Sequence, residues 1–174
     1  VGPVIAADDS SARRALAEQL GADVVVDPAD HSPYESWQTA AEARAATSGA
    51  PPNPLTGGIE LPAAVYFECV GVPGVIDQMM LGAPKDARIV VVGVCMQEDR
   101  LQPFYGIVRE LNVQFVLGYS PEEFATTLRM IAEGQIDGAP LITGKVGVEG
   151  VPGAFRELAD PERHAKILVE PWRS

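Results

Sequence analysis

Short apolar runs alternate with polar, helix-forming stretches along most of the chain. Val4–Ala7 is the first apolar run; it closes on Asp8 and Asp9 and reads as a buried strand. The stretch "ARRALAEQL" behind it consists of good helix formers, with Leu16 and Leu20 four apart on one face. Ser10 or Ser11 supplies the hydroxyl that accepts from the unpaired amides of the first helical turn, and Gly21 stands where a helix often ends in a left-handed residue. Val24–Val26 predicts a second strand.

The alternation resumes further along. "AAVYFECVG", "ARIVVVGV" and "NVQFVLGY" predict strands, with helices at "VPGVIDQMMLGA" and "QPFYGIVREL" between them and Pro73 near the start of the first helix. "SPEEFATTLRMIAEG" carries the fullest helix signature. Ser120 caps, Pro121 takes the first position, Glu122 and Glu123 face the positive end, and Gly134 terminates. "PLITGKVGV", "VPGAFRELAD" and "AKILVEP" follow as strand, helix and strand. Strands that alternate with helices predict an α/β fold with a mostly parallel sheet, and near-continuous Val and Ile in the central strands predict burial on both faces.

One region breaks the pattern. Between roughly Ala29 and Glu60 the chain is rich in proline and glycine and shows no strand period. Its middle, "ESWQTAAEARAAT", can form a short helix, whereas "SGAPPNPLTGG" cannot. The expectation is an inserted surface excursion, long for a connection between two strands. No internal repeat accompanies it.

Composition adds bounds. The 174 residues suffice for one domain with a core or for parts of two, and 47% hydrophobic with 21% charged residues is ordinary for a globular chain. A formal net charge of −11 argues against nucleic-acid binding, which needs Lys and Arg on phosphates. No apolar run approaches the ~20 residues of a membrane span, and no basic-then-apolar secretory leader is present. Cys69 and Cys95 both lie inside apolar strand-like runs, which predicts buried reduced thiols and a reducing, cytoplasmic setting.

Several chemistries find no support. "GAPLITGK" resembles a phosphate loop, but its glycines are one residue too far apart and Val146 stands where Ser or Thr must reach magnesium. There is no CxxC, His31 and His164 have no H-x-x-x-H partner, and no G-x-S-x-G elbow marks a nucleophile. No metal ligand set and no catalytic residue is therefore assigned within the chain. Asp8 remains the sharpest candidate. A carboxylate at the carboxyl end of a strand, just before a helix, can accept from the ribose hydroxyls of NAD. The same residue in the same place can equally be a helix cap. The G-x-G-x-x-G that normally precedes such an acid by about 20 residues is absent.

Taken together and in order, "VIAADDSSARRALAEQLGADVVVDP", "VYFECVG", "ARIVVVGV" and "HAKILVEP" resemble the carboxyl-terminal half of a medium-chain, zinc-type alcohol dehydrogenase. The "FECVG" variant is most similar to the polyol and threonine dehydrogenase branch. The resemblance covers nearly the whole chain except about 29–60. It implies a sequence that begins at the second strand of a Rossmann domain, as part of a longer enzyme. Residues 1–118 would then belong to a coenzyme-binding domain without its first strand and glycine loop, a partial doubly wound parallel sheet. Residues 119–174 would be the returning carboxyl-terminal segment of the catalytic domain.

The resemblance also implies site residues. Asp8 corresponds to the ribose-binding acid and Arg13 to a basic residue near the adenosine. Cys69, Val70 and Gly71 correspond to the strand end that faces the coenzyme's adenosine and nicotinamide ribose region. Val92, Gly93 and Val94 correspond to the turn whose backbone meets the nicotinamide amide, and Val116, Leu117 and Gly118 to a second segment against that ring. Lys166 corresponds to a basic residue that reaches the phosphates. Without the resemblance, the same positions read as core, turn and solvated charge. The implied activity is NAD-dependent oxidation of a small alcohol or polyol. Zinc would be held by the longer enzyme and not by this chain. The implied assembly is a homodimer or tetramer through the apolar strand 113–118. A zinc-free quinone reductase of the same superfamily and a non-catalytic α/β binding or dimerisation domain are the alternatives.

Overall fold

The computed structural model describes residues 2–47, 49 and 61–173. The chain forms two compact units, Val1–Ser36 with Ser120–Ser174, and Trp37–Tyr119. One division between the units falls at Tyr119/Ser120, and the first 36 residues group with the carboxyl-terminal stretch.

In the first unit, β1 (Ile5–Ala7), α1 (Ser11–Gln19) and β2 (Val24–Val26) form a β-α-β turn of chain. The two strands run parallel with Ile5 opposite Val24 and Ala7 opposite Val26. Ser10, not Ser11, is the N-cap: its Oγ accepts from Arg13 N at 3.2 Å. Gly21 has φ +99°, the left-handed geometry that a side chain resists. After Ser120 come α5 (Pro121–Ala132), a 3-10 turn, β6 (Ile142–Val146), a second 3-10 turn, α6 (Val151–Leu158) and β7 (Lys166–Val169). The α5 helix carries a full capping box, with Ser120 Oγ accepting from Glu123 N and Glu123 Oε2 accepting from Ser120 N. β6 and β7 pair in parallel, the crossover running through α6.

The helix α2 (Pro33–Thr47) spans the division at Ser36/Trp37, and in the second unit β3 (Val65–Glu68), α3 (Val75–Gly82), β4 (Arg88–Val91), α4 (Pro103–Val108) and β5 (Asn112–Phe115) follow. The strands form a parallel sheet in the order β3-β4-β5. Tyr66 is opposite Ile89, which is opposite Val113, so these three share a face. Most of the core sits here: Ala64, Ile76, Met79, Met80, Ala87, Ile89 and Val91 are buried. All strand pairs among the described residues are parallel, as the alternation predicts.

Four expectations need correction. The excursion is not confined to the surface: α2 starts two residues earlier than "ESWQT", at Pro33. Its residues Trp37, Ala41 and Ala45 are buried, with Trp37 edge-on to Tyr66. These positions are four apart, and the two alanines let the helix backbone come close to its neighbours. Residues 48 and 50–60, which hold most of "SGAPPNPLTGG", lie outside the described residues. Pro73 precedes its helix instead of opening it, because Gly74, at φ +90°, takes the N-cap. Burial on both faces holds for β4 in part but fails in β3, where Val65 and Phe67 are exposed. Finally, Cys69 is exposed and Cys95 half-exposed, both free. The strand ends at Glu68, so Cys69 already lies in the turn beyond it.

Candidate functional site: the strand ends

Three candidate residues, Asp8, Arg13 and Lys166, belong to the first unit, and the other nine to the second. Each group has its own local construction.

At the end of β1 the geometry is made by side chains. Because Ser10 caps α1, Asp8 is free of that duty. Its Oδ1 accepts from Ser10 N at 2.9 Å and its Oδ2 stands 3.8 Å from Arg13 Nη1. This settles the alternative left open by the sequence, that Asp8 is the helix cap, in favour of Ser10. The Asp8 side chain keeps about a third of its surface exposed, so Oδ2 is available to a further donor. Arg14 braces the turn from behind. Its Nη1 donates to the Asp8 and Asp9 carbonyls at 2.7 and 2.9 Å, and its Nη2 pairs with Asp27 at 2.8 Å. That role for Arg14 is not legible in sequence, since it depends on Asp27 at the end of the neighbouring strand.

The start of α1 is also closed from the far end of the chain. Glu162 accepts from Ser11 N at 2.9 Å, Ser11 Oγ at 2.7 Å and Ala12 N at 3.2 Å. The Ser10 hydroxyl lies against both this carboxylate and the Pro161 carbonyl, 3.2 Å away. Donation from Ser10 and Ser11 holds the Glu162 carboxyl down at about 2, from an ordinary 4.5. Lys166 is the first residue of β7 and exposed, and among the described residues no ion pair joins it to Asp8.

At the ends of β3 and β4 the geometry is made by backbone. Val92 N and Gly93 N both donate to the Glu68 carbonyl, at 2.8 and 2.9 Å. Gly71, at φ +71°, lies so close to the second turn that a Cβ on it would meet Val94 N at 2.7 Å. A Cβ on Gly93 would meet Gly71 N and Glu68 Oε2, each at 2.5 Å. The turns 69–71 and 92–94 are thus brought together, and only glycine fits at either contact. Val116, Leu117 and Gly118 follow β5; Val116 N donates to Val91 O at 3.1 Å, and Gly118 has φ +63°. Val70, Val92, Val94, Val116 and Leu117 are all exposed, so at these five positions the reading as core side chains does not hold. Partial desolvation and the neighbouring Glu68 charge raise the Cys69 thiol above its usual value, so it is no thiolate nucleophile at neutral pH.

Among the described residues no three His, Cys, Asp or Glu side chains gather as a metal would require.

Parallel ladders of β-α-β type, one unit with an acid at a strand end and the other with glycine-lined backbone at two strand ends, each fit part of a nucleotide-binding dehydrogenase fold. Residues 2–133 match the zinc-binding dehydrogenase family, and the chain belongs to it. A curated relative, (R,R)-butanediol dehydrogenase of Neisseria gonorrhoeae, is 26% identical over 97% of this chain and 43% of its own length. A short-chain alcohol dehydrogenase of Escherichia coli CFT073, solved with NADH, shares the fold with TM-score 0.74 at 20% identity, over 96% of this chain and 44% of that one. A protein of Sinorhizobium meliloti 1021 solved bound to NADP shares it with TM-score 0.72 at 24% identity, over 98% and 46%. The chain thus spans under half the length of the relatives it matches.

Proposed function

We propose that this chain is the coenzyme-binding and carboxyl-terminal part of an NAD-dependent alcohol or polyol dehydrogenase. The observation that carries the reading is the Asp8 carboxylate at the end of β1, relieved of capping by Ser10 and with about a third of its side chain still exposed. Two hydroxyls of an adenosine ribose are the natural donors for such a group. The strand order adds support. A doubly wound dinucleotide fold has the order 3-2-1-4-5-6. If β1 and β2 are its strands two and three, and β3–β5 its strands four to six, both ladders agree with it, and strand one has no counterpart among the described residues.

In this reading Asp8 holds the ribose and Arg13 lies beside the adenosine. Cys69–Gly71 face the adenosine and nicotinamide ribose region and Val92–Val94 present backbone groups to the nicotinamide amide, with Val116–Gly118 against the ring and Lys166 near the phosphates. The coenzyme, when bound, supplies the hydride acceptor. Residues of this chain bind and orient it. Zinc would be held by the longer enzyme, outside this chain's residues. The substrate is a small alcohol, the setting is cytoplasmic, and the domain boundary lies near 118.

The preference for NAD over NADP follows from charge. Asp8 and Asp9 would face the 2′-phosphate of NADP, a repulsion of order 4 kcal/mol for unit charges at an effective dielectric near 20, less where water screens. A quarter of that is about fivefold. The test is the ratio of kcat/KM for the two coenzymes in the intact enzyme and in Asp8→Ser. NAD preference that falls in the variant is expected; NADP preference in the unmodified enzyme refutes the assignment.

Assembly is part of the same reading. β5 continues into exposed Phe115 and Leu117, and an apolar strand edge invites pairing with a second copy. Light scattering should find a dimer or tetramer, reduced to monomer by Phe115→Lys or Val116→Pro. A chain monomeric at high concentration refutes it.

A further inference from the structure

Glu68 is the only buried charged residue among those described, 2% exposed at the end of an apolar strand. No ion pair among the described residues involves it. A carboxylate taken from water without a cation is costly unless hydrogen bonds replace its hydration. Here they do, and they come from the backbone. Oε1 accepts from Val70 N at 2.7 Å and from Gly71 N at 2.8 Å. Oε2 lies on the other side, 2.5 Å from where a Cβ on Gly93 would stand. The main-chain carbonyl of the same residue accepts from Val92 N and Gly93 N. One residue therefore ties together both turns, its side chain holding 69–71 and its backbone holding 92–94.

We infer that Glu68 is a positioning residue for the coenzyme. Its buried carboxylate fixes the 69–71 backbone against 92–94, so that the surface facing the nicotinamide end is formed before the coenzyme arrives. This rests on the reading of those turns as coenzyme-facing. An apolar residue at 68 would leave the Val70 and Gly71 amides without acceptors and the left-handed Gly71 without a restraint. The turn would then sample other conformations, and binding would have to select the competent one.

The experiment compares wild type, Glu68→Ala and Glu68→Gln in the intact enzyme. It measures NADH affinity by fluorescence titration, KM for NAD against kcat, and amide exchange at Val70 and Gly71. Glu68→Ala should weaken NADH binding and raise KM for NAD by about tenfold, with kcat within about twofold, and speed exchange at both amides. Glu68→Gln keeps an oxygen for the two N–H groups and should restore most of the affinity and protection. A merely structural role would lower melting temperature without this rescue of KM. Should Glu68→Ala fail to fold, Glu68→Gln decides alone: protected amides and near-wild-type affinity support the inference, and exposed amides with unchanged affinity overturn it. Unchanged NADH affinity in a folded Glu68→Ala refutes it outright. A wild-type enzyme that binds no NADH refutes the coenzyme reading instead, so the two failures are distinct.

Discussion

The end of β1 and the paired ends of β3 and β4 solve similar problems by different means. The first is built of exposed or half-exposed side chains: Asp8, Arg13, Arg14, Asp27 and, from the far end of the chain, Glu162. The second is built of backbone, two glycines in contact, with one buried carboxylate beneath. Side chains in water can be exchanged singly, and their contacts are screened and adjustable. Close-packed backbone has no such slack, because an added carbon has nowhere to go. The difference suggests that specificity between related coenzymes is tuned at β1, while the shape of the nicotinamide end is fixed at β3 and β4.

The largest test of that contrast is Gly93→Ala. Its methyl would meet the Gly71 backbone N at 2.5 Å, and Glu68 Oε2 at 2.5 Å on a carboxylate already held by Val70 N and Gly71 N. A loss of about 3 kcal/mol in denaturant unfolding is expected, at the upper end for overpacking. A loss under about 0.5 kcal/mol would show that the turns can part freely, and the contrast would collapse.

Arg14→Ala probes the other region. It removes two donors to carbonyls and the 2.8 Å pair with Asp27 at a half-buried place. About 2 kcal/mol should be lost, the range for hydrogen bonds made by a charged group. The fall should shrink in high salt, whereas that of Gly93→Ala should not.

Ser10→Ala removes the α1 cap and should cost about 1 kcal/mol by the same measurement. Since Ser10 is buried and also donates to Pro161, a cost near zero would mean that Glu162 alone closes the helix start.

The smallest effect concerns pH. The Glu162 carboxyl is held at about 2 in the folded chain against an ordinary 4.5. A depressed acid contributes stability that is full above 4.5 and is lost as pH falls toward 2. Between pH 5 and 2.5, wild type should therefore lose more stability than Glu162→Gln. Parallel melting curves across that window would remove Glu162 from the β1-end network.

Much of the chain was legible in its sequence. Ser120 caps α5 and Pro121 opens it as predicted, and the structure adds the return bond from Ser120 N to the Glu123 carboxylate three residues on. Gly21 and Gly134 end their helices at positive φ. The order of strands and helices follows from the same local signals, as does their parallel pairing, since a strand, a helix and a strand leave room for little else. The coenzyme candidates at 69–71 and 92–94 were found through motifs, and the structure adds the contact between them.

What sequence left undecided is which of several local options the chain takes, and which distant segments close on it. Asp8 and Ser10 are both plausible caps until Arg13 N is placed 3.2 Å from Ser10 Oγ. "FECVG" offers an acid and a thiol side by side, and apolar context favours burying the thiol. The structure buries the acid instead, because the strand stops at Glu68 and the backbone beyond it turns its N–H groups inward. Trp37, Ala41 and Ala45 look like surface within a proline-rich stretch, yet all three are buried, with Tyr66 edge-on to Trp37. Local propensity and capping act within a turn or two of chain, so the sequence alone determines the elements and their ends. Burial of a charge, or closure of one glycine on another, is settled only when residues about 20 or more positions apart are brought into contact, and that is the work of the tertiary structure.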